Sequence, residues 1–222
     1  MQSQRRGSVV PTARSWTDVY RARTAYLDPA AIARYEDSRF RGPLGAYKLR
    51  RERRVVRSAL AALPPNLRAV DCPTGVGRWI STLADRGHQI IGVDISVAML
   101  TEARRRAEGV AAVHAEAEHL PFGDDRVDLV FSFALAKHLP REVLFGVLDE
   151  FVRVARIGVV CTVNTTPPVL WAWAKRRAPR SRAVDLAVLR SWAQSRGLSL
   201  RDFGRCHSPI GMERCLLLRG TD

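Results

Sequence analysis

The sequence predicts an α/β protein built on a seven-stranded, mostly parallel sheet with an antiparallel C-terminal hairpin. From Arg68 onward, short β-branched runs alternate with amphipathic stretches of helical period, which is typical of β-α units around a parallel sheet. Residues 198–222 instead hold two strand-like runs without a helix between them, which predicts the hairpin. With 222 residues, of which 46% are hydrophobic, the chain can bury one substantial core, and global disorder is excluded.

The residues before Arg68 predict helices. Asp28-Pro29 offers a cap followed by proline at the first helical position, and this favours a helix over 30–38. After a break at Gly42-Pro43, apolar residues at helical spacing favour a second helix over 46–63, with its arginines facing outward. We expect the polar, irregular residues 1–13 to be a mobile terminus.

From Arg68 the chain divides into seven apolar runs and four amphipathic stretches. The predicted strands lie over 68–72, 89–94, 111–114, 127–133, 157–163, 198–204 and 212–218. The predicted helices lie over 77–86, 96–107, 141–155 and 183–196.

Charge is unevenly distributed along the chain. The formal net charge is +14, and residues 1–68 carry +10, residues 69–168 carry −3 and residues 169–205 carry +7. Basic flanks attract anionic partners such as nucleic acid, anionic lipid or a charged small substrate. Because the arginines are spread along helices, ordinary solvated charge is the alternative.

Cysteine usage and hydropathy indicate a cytoplasmic protein without a metal site. The cysteines, Cys72, Cys161, Cys206 and Cys215, include no Cys-x-x-Cys pair, so neither a disulfide framework nor a zinc site is predicted. No apolar run approaches the roughly 18 to 20 residues of a membrane span, and the N-terminus has no stretch of signal-peptide type.

A glycine-containing loop joins the first predicted strand to a helix. Residues 73–77 read Pro-Thr-Gly-Val-Gly, and glycines at such a turn let the backbone approach a ligand and offer amides to it. Asp94 ends the second strand, 17 residues after Gly77, where its carboxylate can accept hydrogen bonds from both hydroxyls of a ribose. Together they predict a site for a nucleoside-containing cofactor.

Two other nucleotide sites are disfavoured. The Gly-x-Gly-x-x-Gly pattern of dinucleotide enzymes would need glycine where Ile80 stands. A phosphate-binding P-loop would need Lys followed by Ser or Thr after Gly77, where the chain has Arg78-Trp79.

In order and spacing, residues 66–165 resemble the small-molecule branch of the class I S-adenosylmethionine-dependent methyltransferases. Asp71 and the following loop are similar to the family's first motif, an acidic residue and then Gly-x-Gly-x-Gly, with Pro73 in place of the first glycine. Asp94 falls where the family has its ribose-binding acid. Residues 115–122, Ala-Glu-Ala-Glu-His-Leu-Pro-Phe, are similar to the family's Gly-Asp-Ala-Glu-x-Leu-Pro-Phe segment.

The resemblance implies a Rossmann-like fold, with a helical N-terminal cap and terminus over 1–66 acting as a lid and a methyltransferase domain over 67–222. It also implies the cofactor S-adenosyl-L-methionine, with the Glu116 carboxylate and the Ala117 amide on the adenine. The implied cofactor-binding residues are Asp71, Pro73, Thr74, Gly75, Gly77, Asp94, Ile95, Met99, Glu116, Ala117 and Phe133. Pro73 lacks an amide donor, so residues 74–77 would have to supply the amides.

Methyl transfer from a sulfonium is an in-line displacement that depends mainly on alignment, so a catalytic base is optional. His138, which follows the fourth predicted strand, is the candidate base; structural packing is the alternative. The resemblance implies that the N-terminal helices cover the acceptor. The candidate acceptor-lining residues are Tyr20, Tyr35, Arg39, Phe40 and Asn164.

We interpret the chain as a methyltransferase acting on O, N or C of a small, anionic or aromatic acceptor. One alternative is an RNA methyltransferase whose basic flanks grip phosphates, and another is a non-catalytic cofactor-binding scaffold. The segment 167–177 places Trp171 and Trp173 among cations, which suits a peripheral membrane contact or base stacking, although burial over the pocket is the interpretation we adopt.

Overall fold

The computed structural model describes residues 42–165, 183–207 and 212–221. The strands are β1 Arg68–Asp71, β2 Gln89–Asp94, β3 Ala111–His114, β4 Val127–Ser132, β5 Ala155–Asn164, β6 Leu198–Arg205 and β7 Glu213–Gly220. The helices are α1 Gly42–Ala61, α2 Ile80–Ala84, α3 Val97–Arg106, α4 Arg141–Val154 and α5 Leu186–Gln194, with a 3-10 turn over Ala136–His138. The predicted helix over 30–38 and the predicted mobile terminus lie outside the described residues.

All seven strands form one sheet in the order β3-β2-β1-β4-β5-β7-β6. The first five strands are parallel, whereas β7 is antiparallel to both β5 and β6. The predicted fold class is therefore confirmed, including the C-terminal hairpin.

The sheet is covered on both faces, because neighbouring residues of its strands point to opposite sides. Val130 of β4 packs in a cluster with α4 and α5, whereas Leu129 and Phe131 pack in a second cluster with α1 and α2. Burial on both faces explains why the central strands are continuous apolar runs. Although the predicted boundary at residue 66 assigns α1 to a separate cap, this helix shares the second cluster with the sheet.

The order of the strands creates a crevice beside β1. The chain leaves β1 for β2 and β3 on one side and then returns to β4 on the other. In open α/β sheets, ligands bind outside the carboxyl ends of the strands at such a reversal. The glycine loop follows β1 at this position.

Three helices begin three or four residues away from their predicted starts. The helix predicted over 46–63 already begins at Gly42, because Pro43 lies in the first turn, where no backbone N–H is needed. The helix predicted over 77–86 is only Ile80–Ala84, since Gly77 has a φ of +79° and belongs to the loop. The helix predicted over 183–196 begins after Asp185, which caps it by accepting a hydrogen bond from Ala187 N.

Candidate functional site

The glycine loop is closed by its own hydrogen bonds. Thr74 N donates to Val93 O at 2.8 Å, and Gly75 N donates to Asp94 Oδ2 at 2.8 Å. Gly77 N donates to Thr74 O at 3.0 Å. We expected these amides to be offered to a ligand, but in the structure all three donate to groups of the protein. They hold the loop in its shape and fix it to β2.

The two loop glycines have different roles. A Cβ on Gly77 would lie 2.9 Å from Ile80 Cδ1 and 3.2 Å from Ala103 Cα, so this position has no room for a side chain. Gly75 has a φ of +54°, and a Cβ there would meet no atom within 4 Å. Gly77 thus lets the loop pack on α3, while Gly75 borders open space at the crevice.

Asp94 joins the glycine loop to α3. Its Oδ1 accepts a hydrogen bond from Ser96 N at 2.9 Å, and its Oδ2 accepts the one from Gly75 N. Burial raises the pKa of this carboxyl, and the backbone amides of Ser96, Gly75 and Ile95, together with the nearby His114, oppose the shift. Since each carboxylate oxygen can accept two hydrogen bonds, Asp94 retains acceptor capacity for two ligand hydroxyls.

Asp71 is buried at the end of β1, and only one of its two carboxyl oxygens has a hydrogen-bond partner among the described residues. Its Oδ2 accepts a hydrogen bond from Thr74 Oγ1 at 2.9 Å, whereas its Oδ1 has no partner among the described residues. Burial raises the pKa of Asp71 to about 7; the Thr74 hydrogen bond opposes this, and the nearby Asp94 adds to it. A buried, unpaired carboxyl oxygen calls for an explanation, and a ligand that carries a donor or a cation would provide one.

The segment after β3 is fixed beside the end of β2. Ala115 N donates to Asp94 O at 3.2 Å, and His119 N closes a turn on Glu116 O at 3.1 Å. Farther along, Leu120 N donates to Glu150 Oε1 of α4 at 2.7 Å. Glu116 and Ala117 therefore lie in a braced turn next to Asp94.

Met99 and Ile95 also lie near this end of β2. Met99 is buried and packs with Val76 of the glycine loop. Ile95 O lies 2.9 Å from His114 Nε2, which ties the end of β2 to β3.

Phe133 packs beneath a cation. Its ring centroid lies 4.6 Å from that of Trp79, and the Arg78 guanidinium lies 4.9 Å from the Phe133 centroid and 4.7 Å from the Trp79 centroid. These contacts place the ring in the core cluster that includes α1. Its role as a cofactor contact stays a prediction.

His138 and Asn164 lie at the same edge of the sheet as the two aspartates. His138 ends the 3-10 turn that follows β4, is partly buried, and donates its backbone N–H to Leu135 O at 2.8 Å. Asn164 is the last residue of β5, and its carbonyl accepts a hydrogen bond from Val184 N at 2.9 Å. Several predicted residues lie outside the described ranges, namely Tyr20, Tyr35, Arg39, Phe40, Trp171 and Trp173.

A buried ionic network beside Phe133 was not predicted. Glu52 of α1 is fully buried and accepts a hydrogen bond from Arg78 Nη2 at 2.6 Å. Its Oε1 lies 2.9 Å from His207 Nδ1, and His207 Nε2 pairs with Glu213. Lys137 Nζ lies 3.7 Å from Glu213 Oε2. These residues are far apart in the sequence, so no local pattern indicates the network.

The network keeps His207 charged. Hydrogen bonds to Glu213 and then to Glu52 raise the pKa of His207 to about 9. Burial favours a higher pKa for Glu213, but His207 and Lys137 outweigh it and hold that pKa at about 2. Because both imidazole nitrogens face carboxylates, His207 serves as a cationic bridge and has no free nitrogen to act as a base.

Thr162 connects this network to the backbone after β4. Its hydroxyl donates to Glu213 Oε1 at 3.1 Å and accepts from Ala134 N at 2.7 Å. The network therefore joins α1, β5 and β7 to the loop that leads to His138.

Two of the cysteines adjoin these groups, because Cys72 follows Asp71 and Cys206 precedes His207. All four are buried free thiols, and burial raises the pKa of each. Within the three described ranges, no group of three or more His, Cys, Asp or Glu side chains is arranged to hold a metal ion.

Comparison with known proteins identifies the domain. Residues 69–158 match the sequence profile of a family described as a methyltransferase domain. The demethylmenaquinone methyltransferase of Beutenbergia cavernae is 37% identical over 123 residues, which are 54% of this chain and 49% of that protein. The chain spans about half the length, or less, of the first curated relatives it matches.

Solved structures agree on the fold. Magnesium protoporphyrin IX methyltransferase from Synechocystis, with bound SAH, has a TM-score of 0.67 at 20% identity and covers 81% of this chain and 88% of its own. The 1,6-didemethyltoxoflavin-N1-methyltransferase of Burkholderia thailandensis has a TM-score of 0.65 at 14% identity, covering 97% of this chain and 93% of its own. The profile match over residues 69–158 and the shared fold thus make this part of the chain similar to the S-adenosylmethionine-dependent methyltransferases.

Proposed function

We propose that this chain transfers a methyl group from S-adenosyl-L-methionine to a small-molecule acceptor. The observation that carries the proposal is the convergence of Asp71 and Asp94 on the glycine loop at the crevice beside β1. The match of residues 69–158 to the profile of a methyltransferase domain supports it.

The residues present fit this cofactor. Asp94 retains acceptor capacity for the two ribose hydroxyls, and the turn holding Glu116 and Ala117 lies next to it for the adenine. The unpartnered Oδ1 of Asp71 suits the cationic amino-acid end of the cofactor. Met99, packed on Val76, offers an apolar surface to the adenine ring.

When bound, the cofactor supplies a methyl group on a positively charged sulfur, which an acceptor displaces in line. The protein's task is to hold both partners collinear and to exclude water. We place the acceptor beside His138 and Asn164, beyond the carboxyl ends of β4 and β5. His138 would take the proton of an O–H or N–H acceptor. Tyr20, Tyr35 and Arg39 are the proposed lining residues from the N-terminal segment.

The names of the relatives support a small acceptor. They name demethylmenaquinone, magnesium protoporphyrin IX and 1,6-didemethyltoxoflavin, all of which are small molecules. Which atom of the acceptor receives the methyl group is left open among O, N and C.

Calorimetric titration with S-adenosylmethionine tests the cofactor site. Asp94→Ala should weaken binding by the loss of one or two hydrogen bonds to a charged group, roughly 1.5 to 6 kcal/mol in total. Asp128→Ala is the matched control, because Asp128 is also buried and accepts a backbone hydrogen bond, from Arg68 N at 2.8 Å at the other end of the sheet. Equal affinity of the two variants would refute the assignment of Asp94.

Mass spectrometry of metabolite and RNA pools incubated with the protein and S-adenosylmethionine tests the acceptor class. We expect a mass gain of one CH2 in a small metabolite. A gain confined to RNA would support the RNA methyltransferase instead, and cofactor binding without any methylated product would support the scaffold.

A further inference from the structure

The solvent-facing side of α1 is a continuous basic face. Arg50, Arg53, Arg54 and Arg57 are exposed and are spaced three and four residues apart, so they project from one side of the helix. With Ser58 and Ala61 they line an open groove of about 550 Å³.

Most of this charge is not paired within the residues that the structure describes. Arg57 Nη2 lies 3.3 Å from Asp85 Oδ2, and both side chains are 62% exposed. Arg50, Arg53 and Arg54 take part in none of the salt bridges formed within the described part of the chain. By contrast, Arg105 and Arg106 of α3 pair with Glu102, and Arg153 of α4 pairs with Glu150.

Two exposed apolar side chains lie near the N-terminus of α1, at one border of the basic face. Tyr47 is 47% exposed and lies one turn before Arg50, and Leu44 is 66% exposed and lies one turn before Tyr47. Attraction of basic residues to anionic lipid and burial of exposed apolar side chains both strengthen the binding of a protein to a membrane surface, and this part of α1 offers both. Tyr47 alone would also suit base stacking, but Leu44 has neither a ring nor a hydrogen-bonding group for RNA, and this favours lipid.

The orientation of α1 relates this face to the crevice. Glu52, on the opposite and buried side of α1, meets Arg78 beside the glycine loop, whereas Arg57 meets Asp85 at the far end of α2. The end of α1 with Leu44 and Tyr47 therefore lies on the side of the glycine loop. Among the helices of the described ranges, none is both long and apolar enough to cross a membrane.

We propose that this face of α1 docks on an anionic phospholipid surface, with headgroup phosphates in the arginine groove and Leu44 and Tyr47 at the boundary with the acyl chains. The charges are complementary, because the guanidinium groups can form bidentate hydrogen bonds with phosphate. The docking surface goes beyond the proposed methyl transfer and does not depend on it.

Flotation with phosphatidylcholine vesicles, with and without phosphatidylglycerol, tests the proposal at physiological ionic strength. The full chain should bind only the vesicles that contain phosphatidylglycerol. Each basic residue near an anionic surface contributes about fivefold in affinity, so Arg50→Gln/Arg53→Gln/Arg54→Gln should weaken binding about a hundredfold. The matched control is Arg126→Gln/Arg141→Gln/Arg190→Gln, which removes the same charge from exposed positions elsewhere in the chain. This variant should weaken vesicle binding far less.

A second variant separates lipid from nucleic acid. Leu44→Ser/Tyr47→Ser keeps every charge and should weaken vesicle binding severalfold. Absence of binding to phosphatidylglycerol vesicles, or equal losses in the two arginine variants, would overturn the proposal. The proposal would also be overturned if the chain bound a single-stranded RNA more tightly than the vesicles and if Leu44→Ser left that RNA binding unchanged. The affinity for S-adenosylmethionine, measured on the same proteins, should stay at the wild-type value. If neither the wild type nor any variant bound S-adenosylmethionine, that result would count against the proposed function alone.

Discussion

Asp71 and Asp94 are buried at adjacent strand ends, but the protein satisfies them differently. Asp94 accepts two backbone hydrogen bonds, and Asp71 accepts one hydroxyl hydrogen bond while its second oxygen has no partner among the described residues. Burial is the main reason that the pKa of Asp71 reaches about 7. Asp71 is thus a group at this site whose charge changes near neutral pH, and a cationic ligand would favour its ionised form.

This difference predicts a pH-dependent affinity for S-adenosylmethionine. Because Asp71 must lose its proton to pair with a cation, affinity should rise with pH and level off above 7. It should be about tenfold weaker at pH 6 than at pH 8. Calorimetry over this range checks the slope, and Asp71→Asn should abolish it. A slope that survives in Asp71→Asn would assign the effect to another group.

The strands were predictable because each is a short apolar run bounded by turn residues, and β2 and β3 have the predicted bounds. The period of α1 was also predictable, with Val55 and Ala59 buried and four of its five arginines exposed; Arg51 is half-buried. The burial of Glu52 in an ionic network was not predictable, because its partners Arg78 and His207 come from other parts of the chain. A carboxylate in an arginine-rich helix is by sequence alone an ordinary surface residue.

The network at Glu52 should fix α1 on the sheet. Glu52→Gln leaves Arg78 and His207 largely buried with one carboxylate fewer, and loss of one partner from a buried ion pair costs about 3 to 5 kcal/mol. Urea unfolding at pH 7 measures this change in the free energy of unfolding. Glu102→Gln, which removes a carboxylate bound to Arg105 and Arg106 on the surface of α3, should remain close to wild type.

The pH dependence of stability has a definite sign for this network. The pKa of His207 in the folded protein is raised to about 9 from an ordinary value of 6.5. Its stabilisation is therefore complete below pH 6.5 and is lost as pH rises through about 9. In Glu52→Gln this loss should be smaller, since one of the two carboxylates that raise the pKa is gone.

At the scale of the whole molecule, the site follows from strand order. The chain reverses between β1 and β4, and the glycine loop, Asp94 and the turn at Glu116 all lie around the resulting crevice. The sequence indicated these three segments because each lies at the end of a predicted strand or directly after it. It did not indicate which loop amides are used internally, since hydrogen bonds to Val93 and Asp94 depend on how neighbouring strands are placed.

A crystal structure of the full chain with S-adenosylhomocysteine tests the proposed site most directly. We expect the ribose hydroxyls on the Asp94 carboxylate, the adenine beside Glu116 and Ala117, and the amino-acid end beside Asp71. Binding at another place in the fold, or an empty crevice at saturating ligand, would contradict the assignment.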